Sequence, residues 1–356
     1  EVERLATRLL QLDPFQEEAH RLRIRAIAAA GDRPRALREY QRVRALLLED
    51  LGREPEAETI ALAEQIRHAE VEPGSVCQEG EEGCRIPFVG RESEFRRLRE
   101  EWARIRAGAG RAVIVTGEAG IGKTRLCQHF LRLAAIQGAR VLQGRAYPSE
   151  SHLAYSPVVD ALVNGLRPAD LGSLPPAWTA VVAELLPELQ PDSFGRGEAL
   201  PLEGEGARRR LFEGVARLLR AVSAGAPVAL FIDDLQWADE STVALVHYLA
   251  RRLTDAPVLL LLAVRPEDIT EESRVGLLLH SGGATEIFLR IHLGELDRAA
   301  AECLIASYVE REGFRLPEEL RERIYAQAGG RPFFLLETLR AIRNNEAGGE
   351  DLCATA

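Results

Sequence analysis

A glycine-rich segment that contains one lysine carries the clearest chemical signal in the sequence. It fits the pattern G-x-x-x-x-G-K-[ST] and consists of Gly117, Glu118, Ala119, Gly120, Ile121, Gly122, Lys123 and Thr124. The apolar run 112–115 precedes it, as expected of a buried strand that leads into a loop. Glycines let successive backbone N–H groups turn inward around phosphate oxygens, and a helix that begins after the loop points its positive dipole end at the same anion. The segment therefore predicts a phosphate-binding loop between a strand and a helix.

Two side chains at the end of this segment are expected to contact the ligand or its metal ion. Lys123 would reach the β- and γ-phosphates of a nucleotide, and the Thr124 hydroxyl would bind Mg²⁺. Arg125 follows directly and is counted with the nucleotide-binding residues. Lys123 is the only lysine in the chain. Because a compact ammonium fits between loop and phosphate where a planar guanidinium does not, this usage supports the phosphate site.

Two adjacent carboxylates end a second apolar run further along the chain. Residues 228–232 read Val-Ala-Leu-Phe-Ile, and Asp233 and Asp234 follow. The carboxyl ends of parallel strands meet at one edge of an open α/β sheet, where ligands bind, so both acids are expected beside the loop. We predict that Asp233 holds Mg²⁺ together with Thr124, and that Asp234 polarises the attacking water as a catalytic residue with Lys123.

The order of the predicted elements is that of an α/β fold. Apolar runs alternate with amphipathic segments, as parallel strands joined by helices require. The predicted strands are 112–115, 140–145, 228–232, 258–264 and 287–291, and the predicted helices are 94–107, 125–137, most of 157–190, 207–223 and 242–253. Two later helices, 297–312 and 317–328, would form a smaller lid. The sequence thus predicts an α/β P-loop NTPase with a five-stranded, mostly parallel sheet and a helical lid.

Residues 1–70 are predicted to be helical throughout, as an all-α domain. Glycine and proline interrupt the apolar periodicity near residues 14, 31 and 52. Small and large side chains alternate as in a tetratricopeptide repeat, at Leu22, Ile24, Ile27, Gly31, Ala36 and Tyr40. About one repeat is present, whereas about three are usually needed for stability. This tetratricopeptide-like module is therefore either a structural helix pack or a surface that binds protein partners.

Composition restricts the partners that the chain can have. The 356 residues carry a net charge of −10, and the pI is near 5.4, which argues against a broad electrostatic grip on nucleic acid. The apolar runs are too short to span a bilayer, so no membrane partner is expected. The five cysteines are odd in number and scattered, which favours a reduced, cytoplasmic setting. Cys77 and Cys84 are interpreted as unpaired thiols.

The N-terminal residues also resemble a known domain. Segments 12–20 and 51–55, the pair Gly31-Asp32 and Tyr40 look like the bacterial transcriptional activator domain. In the antibiotic-regulatory-protein family this domain follows a winged-helix DNA-binding domain. The resemblance covers roughly residues 1–70. It implies that DNA would be bound only through a segment that is absent from this sequence.

The segment before the phosphate-binding loop resembles the start of the nucleotide-binding domain in AAA+ and related signalling ATPases. The similarity lies in Val89-Gly90-Arg91-Glu92, which precedes a charged amphipathic helix. It implies that Phe88 and Val89 lie near the adenine and that Arg91 lies near the edge of the nucleotide. The alternative for Arg91 is a surface charge at the start of a helix.

Two later segments resemble the STAND class of signalling NTPases. The run Asp-Asp-Leu-Gln-Trp-Ala-Asp, residues 233–239, is similar to the corresponding segment of large ATP-binding LuxR-type regulators and of antibiotic regulatory proteins with an ATPase domain. Gly330-x-Pro332 looks like the G-x-P motif, which implies that Pro332 contacts the adenine, although Arg331 replaces the frequent Asn. AAA+-like proteins place a γ-phosphate sensor where Arg265 follows the run 258–264, so Arg265 is the sensor candidate, with a loop arginine as the alternative.

These features predict an ATP-binding, slowly hydrolysing switch of a bacterial transcriptional regulator, with ATP/ADP and Mg²⁺ as ligands and self-association on ATP binding. The alternative is a non-hydrolysing, nucleotide-stabilised scaffold that binds partners. A GTPase is disfavoured because the guanine-reading Asn-Lys-x-Asp motif needs a second lysine. The predicted division is a helical domain at 1–70, a linker at 71–87, the nucleotide-binding domain at 88–293, and the lid with a truncated tail at 294–356.

Overall fold

The computed structural model of the protein describes residues 16–29, individual positions from 36 to 63, and residues 88–189, 205–269, 275–276 and 287–348. The chain divides into two compact units, residues 1–78 with 162–201 and residues 79–161 with 202–356. The domain boundaries predicted from the sequence stay a prediction. Two predicted features lie outside the described residues, namely the linker 71–87 with Cys77 and Cys84 and the glycine at residue 31.

A five-stranded sheet forms the centre of the second unit. Its strands are β1 (Arg111–Thr116), β2 (Arg140–Arg145), β3 (Val228–Asp233), β4 (Val258–Val264) and β5 (Phe288–His292). The strand order is β2-β3-β4-β1-β5, and every neighbouring pair is parallel. All residues of β3 and β4 are buried, which explains their continuous apolar sequences, since a parallel sheet is covered on both faces. The predicted five-stranded P-loop sheet is confirmed, and β5 begins one residue later than expected.

Helices follow most of the strands. They are α1 (Glu17–Ala29), α2 (Glu92–Arg106), α3 (Lys123–Ile136), α4 (Ser156–Gly165), α5 (Pro168–Leu171), α6 (Pro176–Leu185), α7 (Glu205–Ser223), α8 (Glu240–Arg252), α9 (Arg298–Glu312), α10 (Glu318–Ala328) and α11 (Pro332–Gly348). Prolines at the starts of α5 and α6 divide the segment that was predicted to be mostly helical. In the part of the chain that the structure describes, none of the helices is long and apolar enough to cross a bilayer.

The main core packs α2 and α3 against the sheet. Leu98, Trp102 and Ile105 recur at helical spacing along α2 and are almost completely buried. The rings of Trp102 and Phe130 of α3 pack edge to face, with their centroids 6.0 Å apart. The Trp102 indole N–H donates to Gln137 Oε1 at 2.9 Å. Each large side chain buried in this way contributes about 1.5–3 kcal/mol. This core fixes α3, and with it the loop that leads into α3.

The lid helices have an apolar cluster of their own. Side chains of α9, α10 and α11 form it, among them Leu304, Tyr308, Ile324 and Leu335. Val89, from the segment before α2, packs against the same cluster. The predicted helical lid is therefore present, and it contains one more helix than was expected.

Most of the residues described between 16 and 63 are helical. Ile24, Ile27, Ala36 and Tyr40 are buried as the repeat pattern predicts, whereas Leu22 is partly exposed. The buried Glu17 carboxylate accepts hydrogen bonds from Thr59 Oγ1 at 3.0 Å and from the Glu56 N–H at 2.7 Å, and it pairs with Arg53 at 3.1 Å. This polar cluster ties α1 to the segment around residue 56.

Candidate nucleotide-binding site

The glycine-rich loop lies between β1 and α3, at the carboxyl end of a strand with neighbours on both sides. Gly120 has φ +73°, and a Cβ placed there would lie 2.8 Å from the Cβ of Phe333 in α11. Any larger residue would therefore both strain the backbone and push α11 away. Among the described residues, no side chain caps the N-terminus of α3, whose N-cap is Gly122. Its first N–H groups therefore remain suited to an anion.

Lys123 points its ammonium back at the loop. Its Nζ donates to the carbonyl oxygens of Gly117 at 2.6 Å and Glu118 at 2.8 Å, and the residue is 7% exposed. Burial lowers the pKa of the Lys123 ammonium, and the nearby Glu267 carboxylate opposes that shift. A buried cation at the N-terminus of a helix faces an unfavourable dipole. A bound phosphate would remove both penalties, so the residues present fit an anionic ligand.

The two predicted Mg²⁺ ligands meet directly. The Thr124 hydroxyl donates to Asp233, at 2.9 Å from Oδ2 and 3.1 Å from Oδ1. Burial raises the pKa of Asp233 to about 6, with a further contribution from the Asp234 charge. Mg²⁺ is usually held by one or two carboxylates together with waters and phosphate oxygens. A hydroxyl and a buried carboxylate whose charge lacks solvation therefore fit this cation.

Asp234 has a different environment. Its backbone is left-handed, at φ 51° and ψ 42°, which directs the carboxylate toward β2 and β4. Arg145 donates to Oδ2 from Nη2 at 2.8 Å and from Nε at 3.2 Å, and Gln236 donates to Oδ1 at 2.9 Å. Arg265 Nη2 lies 3.1 Å from Oδ1. Burial raises the pKa of Asp234, but these hydrogen bonds and charges outweigh it and lower the pKa below its ordinary value.

Arg265 and Glu267 reach the site from the end of β4. The Arg265 N–H donates to Gln236 Oε1 at 3.1 Å, and its guanidinium pairs with Asp234. A 3₁₀ turn, Pro266–Asp268, follows at once. Within it, the Glu267 carboxylate accepts a hydrogen bond from the Ala119 N–H of the loop at 2.7 Å. The sensor candidate therefore lies beside the loop.

Arg91 lies against the loop from the other side. It is 6% exposed, and its Nη2 donates to the carbonyl oxygens of Ile121 at 3.2 Å and Gly294 at 2.6 Å. Burial lowers the pKa of the Arg91 guanidinium, and its pairing with Glu94 opposes this shift. Arg91 thus holds the loop backbone to the segment that follows β5. It is not the exposed charge of the alternative interpretation.

The lid motif also contacts the loop. The Phe333 N–H donates to the Gly120 carbonyl oxygen at 3.2 Å, and the Arg331 guanidinium pairs with the Glu118 carboxylate. Pro332 lies between them, as the first residue of α11. Arg125 lies in the first turn of α3, and Val89 packs against the lid cluster. The structure thus brings most of the predicted site residues around one loop.

Four contributors were missed at the level of the sequence, namely Arg145, Gln236, Glu267 and Arg331 as an ion-pair partner of the loop. Arg145 ends β2, so the rule that ligands bind at the carboxyl ends of strands could have identified it. Gln236 lies within the run 233–239 that resembles the STAND segment, but Glu267 follows β4 with nothing in its local sequence to separate it from a surface residue. Their roles depend on contacts between distant parts of the chain.

Both parts of the chain match known family models. The AAA ATPase domain family matches residues 87–261, and the bacterial transcriptional activator domain matches residues 1–67. An uncharacterized protein of Rhizobium meliloti (strain 1021) is 25% identical over 273 residues, which cover 73% of this chain and 25% of that protein. The chain therefore spans about a quarter of the length of its curated relative.

Solved structures resemble the chain more distantly. A Walker-type ATPase of Pyrococcus abyssi is 13% identical with a TM-score of 0.44, over 73% of this chain and 69% of that one. AMPPCP-bound DnaA from Aquifex aeolicus is 14% identical with a TM-score of 0.43, over 74% and 64%. A STAND protein with a tetratricopeptide repeat sensor from Pyrococcus horikoshii is 18% identical with a TM-score of 0.34, over 70% and 30%.

The sheet order, the loop between β1 and α3, and the acids at the end of β3 agree with the match of the nucleotide-binding part. The helices described in residues 16–63 agree with the match of the N-terminal part. The chain is therefore similar to an AAA ATPase domain in residues 87–261 and to a bacterial transcriptional activator domain in residues 1–67.

Proposed function

We propose that the chain is the ATP-binding, slowly hydrolysing switch of a bacterial transcriptional regulator of the STAND class, acting in the cytoplasm. One observation carries the proposal. The Thr124 hydroxyl donates to the buried Asp233 carboxylate, and the buried Lys123 lies next to Thr124 at the end of the glycine-rich segment. The activator domain in the same chain supports a role in transcription. DNA contact would come from a segment outside this sequence.

The loop residues would hold the nucleotide. Backbone N–H groups from residue 117 to 124 and the Lys123 ammonium would bind phosphate oxygens, and Thr124 with Asp233 would hold Mg²⁺. Mg²⁺ with ATP supplies a terminal phosphate whose charge is neutralised, so that water can attack it. Val89 and Pro332 are the candidates for contact with the adenine, while Arg91 keeps the loop in shape through the Ile121 carbonyl.

Two residues are proposed to act on the reaction itself. Asp234 would polarise the attacking water, and Arg265 would stabilise charge that develops on the terminal phosphate. In this structure the two side chains pair with each other at 3.1 Å. Both roles therefore require that this ion pair opens, which would slow turnover.

The lid is proposed to report the state of the loop. Arg331 and Phe333 contact loop residues Glu118 and Gly120, so a ligand that moves the loop also changes the support of α11. A nucleotide can bias a two-state element in this way through its phosphate contacts. Self-association on ATP binding, and protein partners at the N-terminal helices, belong to the same proposal.

A non-hydrolysing scaffold is the second candidate, and the environment of Asp234 favours it. Its carboxylate is held by Arg145, Gln236 and Arg265, and its pKa is lowered, so it is a weaker base than an unperturbed aspartate. Release of phosphate from ATP, measured with the protein in excess over ATP, distinguishes the switch from the scaffold. The switch requires turnover that Asp234→Asn slows by about tenfold or more, whereas the scaffold shows no turnover.

Calorimetric titration with MgATP and MgADP tests the site. We expect wild type to bind both, and Lys123→Ala to lose at least about tenfold in affinity, since charge-assisted phosphate contacts are strong. Lys123→Arg keeps the charge and serves as a matched control for shape. Because a guanidinium does not fit between loop and phosphate, it should also bind poorly. Nucleotide binding by Lys123→Ala at wild-type affinity would contradict the assignment of the site.

A further inference from the structure

One backbone N–H of the phosphate-binding loop already donates a hydrogen bond to an anionic side chain. Glu267 Oε1 accepts a hydrogen bond from the Ala119 N–H at 2.7 Å, and Ala119 lies among the residues whose N–H groups are expected to surround phosphate. Burial lowers the pKa of the neighbouring Lys123 ammonium, and the Glu267 carboxylate opposes this shift. A carboxylate therefore occupies a position next to both the backbone donor and the cation of the loop.

The turn that presents Glu267 is anchored firmly. Pro266 fixes its φ at the first residue of the 3₁₀ turn, and the Asp268 N–H donates to the Arg265 carbonyl oxygen at 3.2 Å. Arg265 in turn is held by Gln236 through its N–H and by Asp234 through its guanidinium. Although the Glu267 side chain is exposed, its backbone is thus fixed by the residues that end β3 and β4.

A loop N–H directed at the Glu267 carboxylate cannot at the same time make a full hydrogen bond to a phosphate oxygen. Two anions next to each other also repel. We propose that Glu267 is an internal competitor of the nucleotide: its carboxylate occupies the phosphate-binding loop at Ala119 and must leave when phosphate binds. The inference rests on the proposed function of the loop as a nucleotide site.

The competition has a structural consequence at the end of β4. When phosphate displaces Glu267, the turn Pro266–Asp268 loses its contact with the loop. Arg265 begins that turn, so its pairing with Asp234 is loosened by the same event. Glu267 thereby couples occupancy of the loop to release of the ion pair that holds Asp234.

Nucleotide affinity of charge variants tests the proposal. Glu267→Gln keeps the shape and removes the charge, and Glu267→Ala removes the hydrogen bond as well. Asp268→Asn removes the same charge from the next residue of the turn and is the matched control. The probes are MgADP and inorganic pyrophosphate, titrated calorimetrically into the full chain at constant ionic strength. Both glutamate variants should bind each probe about five- to tenfold more tightly than wild type, and Asp268→Asn within about twofold of it.

Each other outcome overturns the proposal. Unchanged or weaker binding by both glutamate variants would show that Glu267 does not compete, and slower phosphate release at unchanged affinity would make it a catalytic carboxylate instead. If Asp268→Asn increased the affinity for the probes equally, the effect would come from the net charge of the turn and not from the contact of Glu267 with the loop. If Lys123→Ala loses binding while Glu267→Ala equals wild type, the nucleotide site stands and this inference alone fails. If wild type and Glu267→Ala both fail to bind, the proposed function fails as well. Thermal unfolding of each variant confirms that it is folded.

Discussion

Two adjacent carboxylates at the end of β3 have opposite electrostatic environments. Burial and the neighbouring Asp234 charge raise the pKa of Asp233 to about 6, although the hydrogen bond from the Thr124 hydroxyl opposes this shift. The Asp234 carboxylate accepts hydrogen bonds from Arg145 and Gln236 and pairs with Arg265, so its pKa is lowered despite burial. Neighbouring positions in the sequence thus differ in which protonation state the fold favours, because one side chain faces the loop and the other faces the arginines.

The raised pKa of Asp233 predicts that folding is less favourable at high pH. The folded chain holds a proton up to pH about 6 that the unfolded chain releases near pH 3.8. The corresponding stability is therefore present below pH 3.8 and is lost as the pH rises through about 6. Asp233→Asn should therefore stabilise the nucleotide-free chain more at pH 8 than at pH 4. We expect the increase in the free energy of unfolding to be about 2 kcal/mol larger at pH 8.

Urea unfolding at the two pH values measures this difference. Asp234→Asn is the control of opposite sign, because its lowered pKa stabilises the fold at high pH and the substitution removes that contribution. A loss of stability at pH 8 in Asp233→Asn would contradict the prediction. Asp233→Asn should also bind Mg²⁺ poorly. Asp233 would thus be a binding residue that lowers the stability of the fold.

At the residue scale, the sequence sufficed where chemistry and spacing are local. The loop, Thr124 and Asp233 follow from short motifs, and the structure brings Thr124 and Asp233 into contact. Glu267 could not be found in this way, because it acquires its role from a partner more than eighty residues away, the Ala119 N–H. An isolated charge at the end of a strand has the same local signature as a surface residue.

At the scale of elements, the turn between α10 and α11 decides how the lid meets the core. Gly329 and Gly330 both have positive φ, at +57° and +70°. The Gly330 carbonyl oxygen accepts a hydrogen bond from the Leu296 N–H at 2.8 Å. A Cβ at Gly330 would lie 2.5 Å from the Leu296 carbonyl oxygen, whereas one at Gly329 would approach only Glu295 Oε1, at 3.6 Å.

Alanine at the two positions should therefore have different effects. Both substitutions incur the left-handed backbone penalty of about 1–2 kcal/mol, but Gly330→Ala must also move the backbone at Leu296. We expect Gly330→Ala to destabilise by about 1–3 kcal/mol more than Gly329→Ala, as overpacking does. Hydrogen exchange should be faster in residues 296–348 of the Gly330 variant. Equal exchange in the two variants would indicate that this contact does not hold the lid.

The strands and caps were predictable because their signals are strong. Continuous apolar runs predict β3 and β4, and both are buried throughout. Asp239 is the N-cap of α8, a position that favours aspartate, and it accepts hydrogen bonds from the Ser241 N–H at 2.7 Å and the Thr242 N–H at 3.2 Å. The break between α4 and α6 was not located, because prolines at the first position of a helix are compatible with both a start and an interruption.

At the scale of the whole molecule, charge restricts the partners. The chain has 55 acidic and 45 basic side chains besides histidine. Many of the described arginines pair with carboxylates, as Arg220 does with Asp255 at 2.7 Å and Arg298 does with Glu302 at 2.8 Å. These pairs leave less positive charge for phosphate contacts, although the fold class alone would be compatible with a nucleic-acid motor.

We therefore expect this chain to bind duplex DNA of random sequence more weakly than typical DNA-binding proteins. Their non-specific dissociation constants are about 10⁻⁴–10⁻⁶ M at physiological salt. Fluorescence anisotropy with a labelled duplex at two salt concentrations measures the affinity and its salt dependence. Binding near 10⁻⁶ M with a steep salt slope would contradict the expectation and would indicate a basic face on this chain.

The fold class was predictable from the alternation of strands and helices, but the packing partners of individual helices were not. Residues 162–201 fall in the same compact unit as residues 1–78. Nothing in the amphipathic pattern of such a segment specifies which distant residues it packs against. Secondary structure is a local property of the sequence, and the choice of packing partner is not.

The order of the strands also determines when the sheet can form during synthesis. β1 pairs with β4 and β5, and β4 begins at Val258, long after β1 ends at Thr116. A ribosome therefore releases the phosphate-binding strand well before either neighbour exists, and non-local pairing of this kind is slow. The apolar β1 must be protected while the intervening residues are made, because unpaired strands aggregate. The central position of β1 supports the loop, but it also means that more residues must be synthesised before β1 can pair than before any other strand of the sheet can.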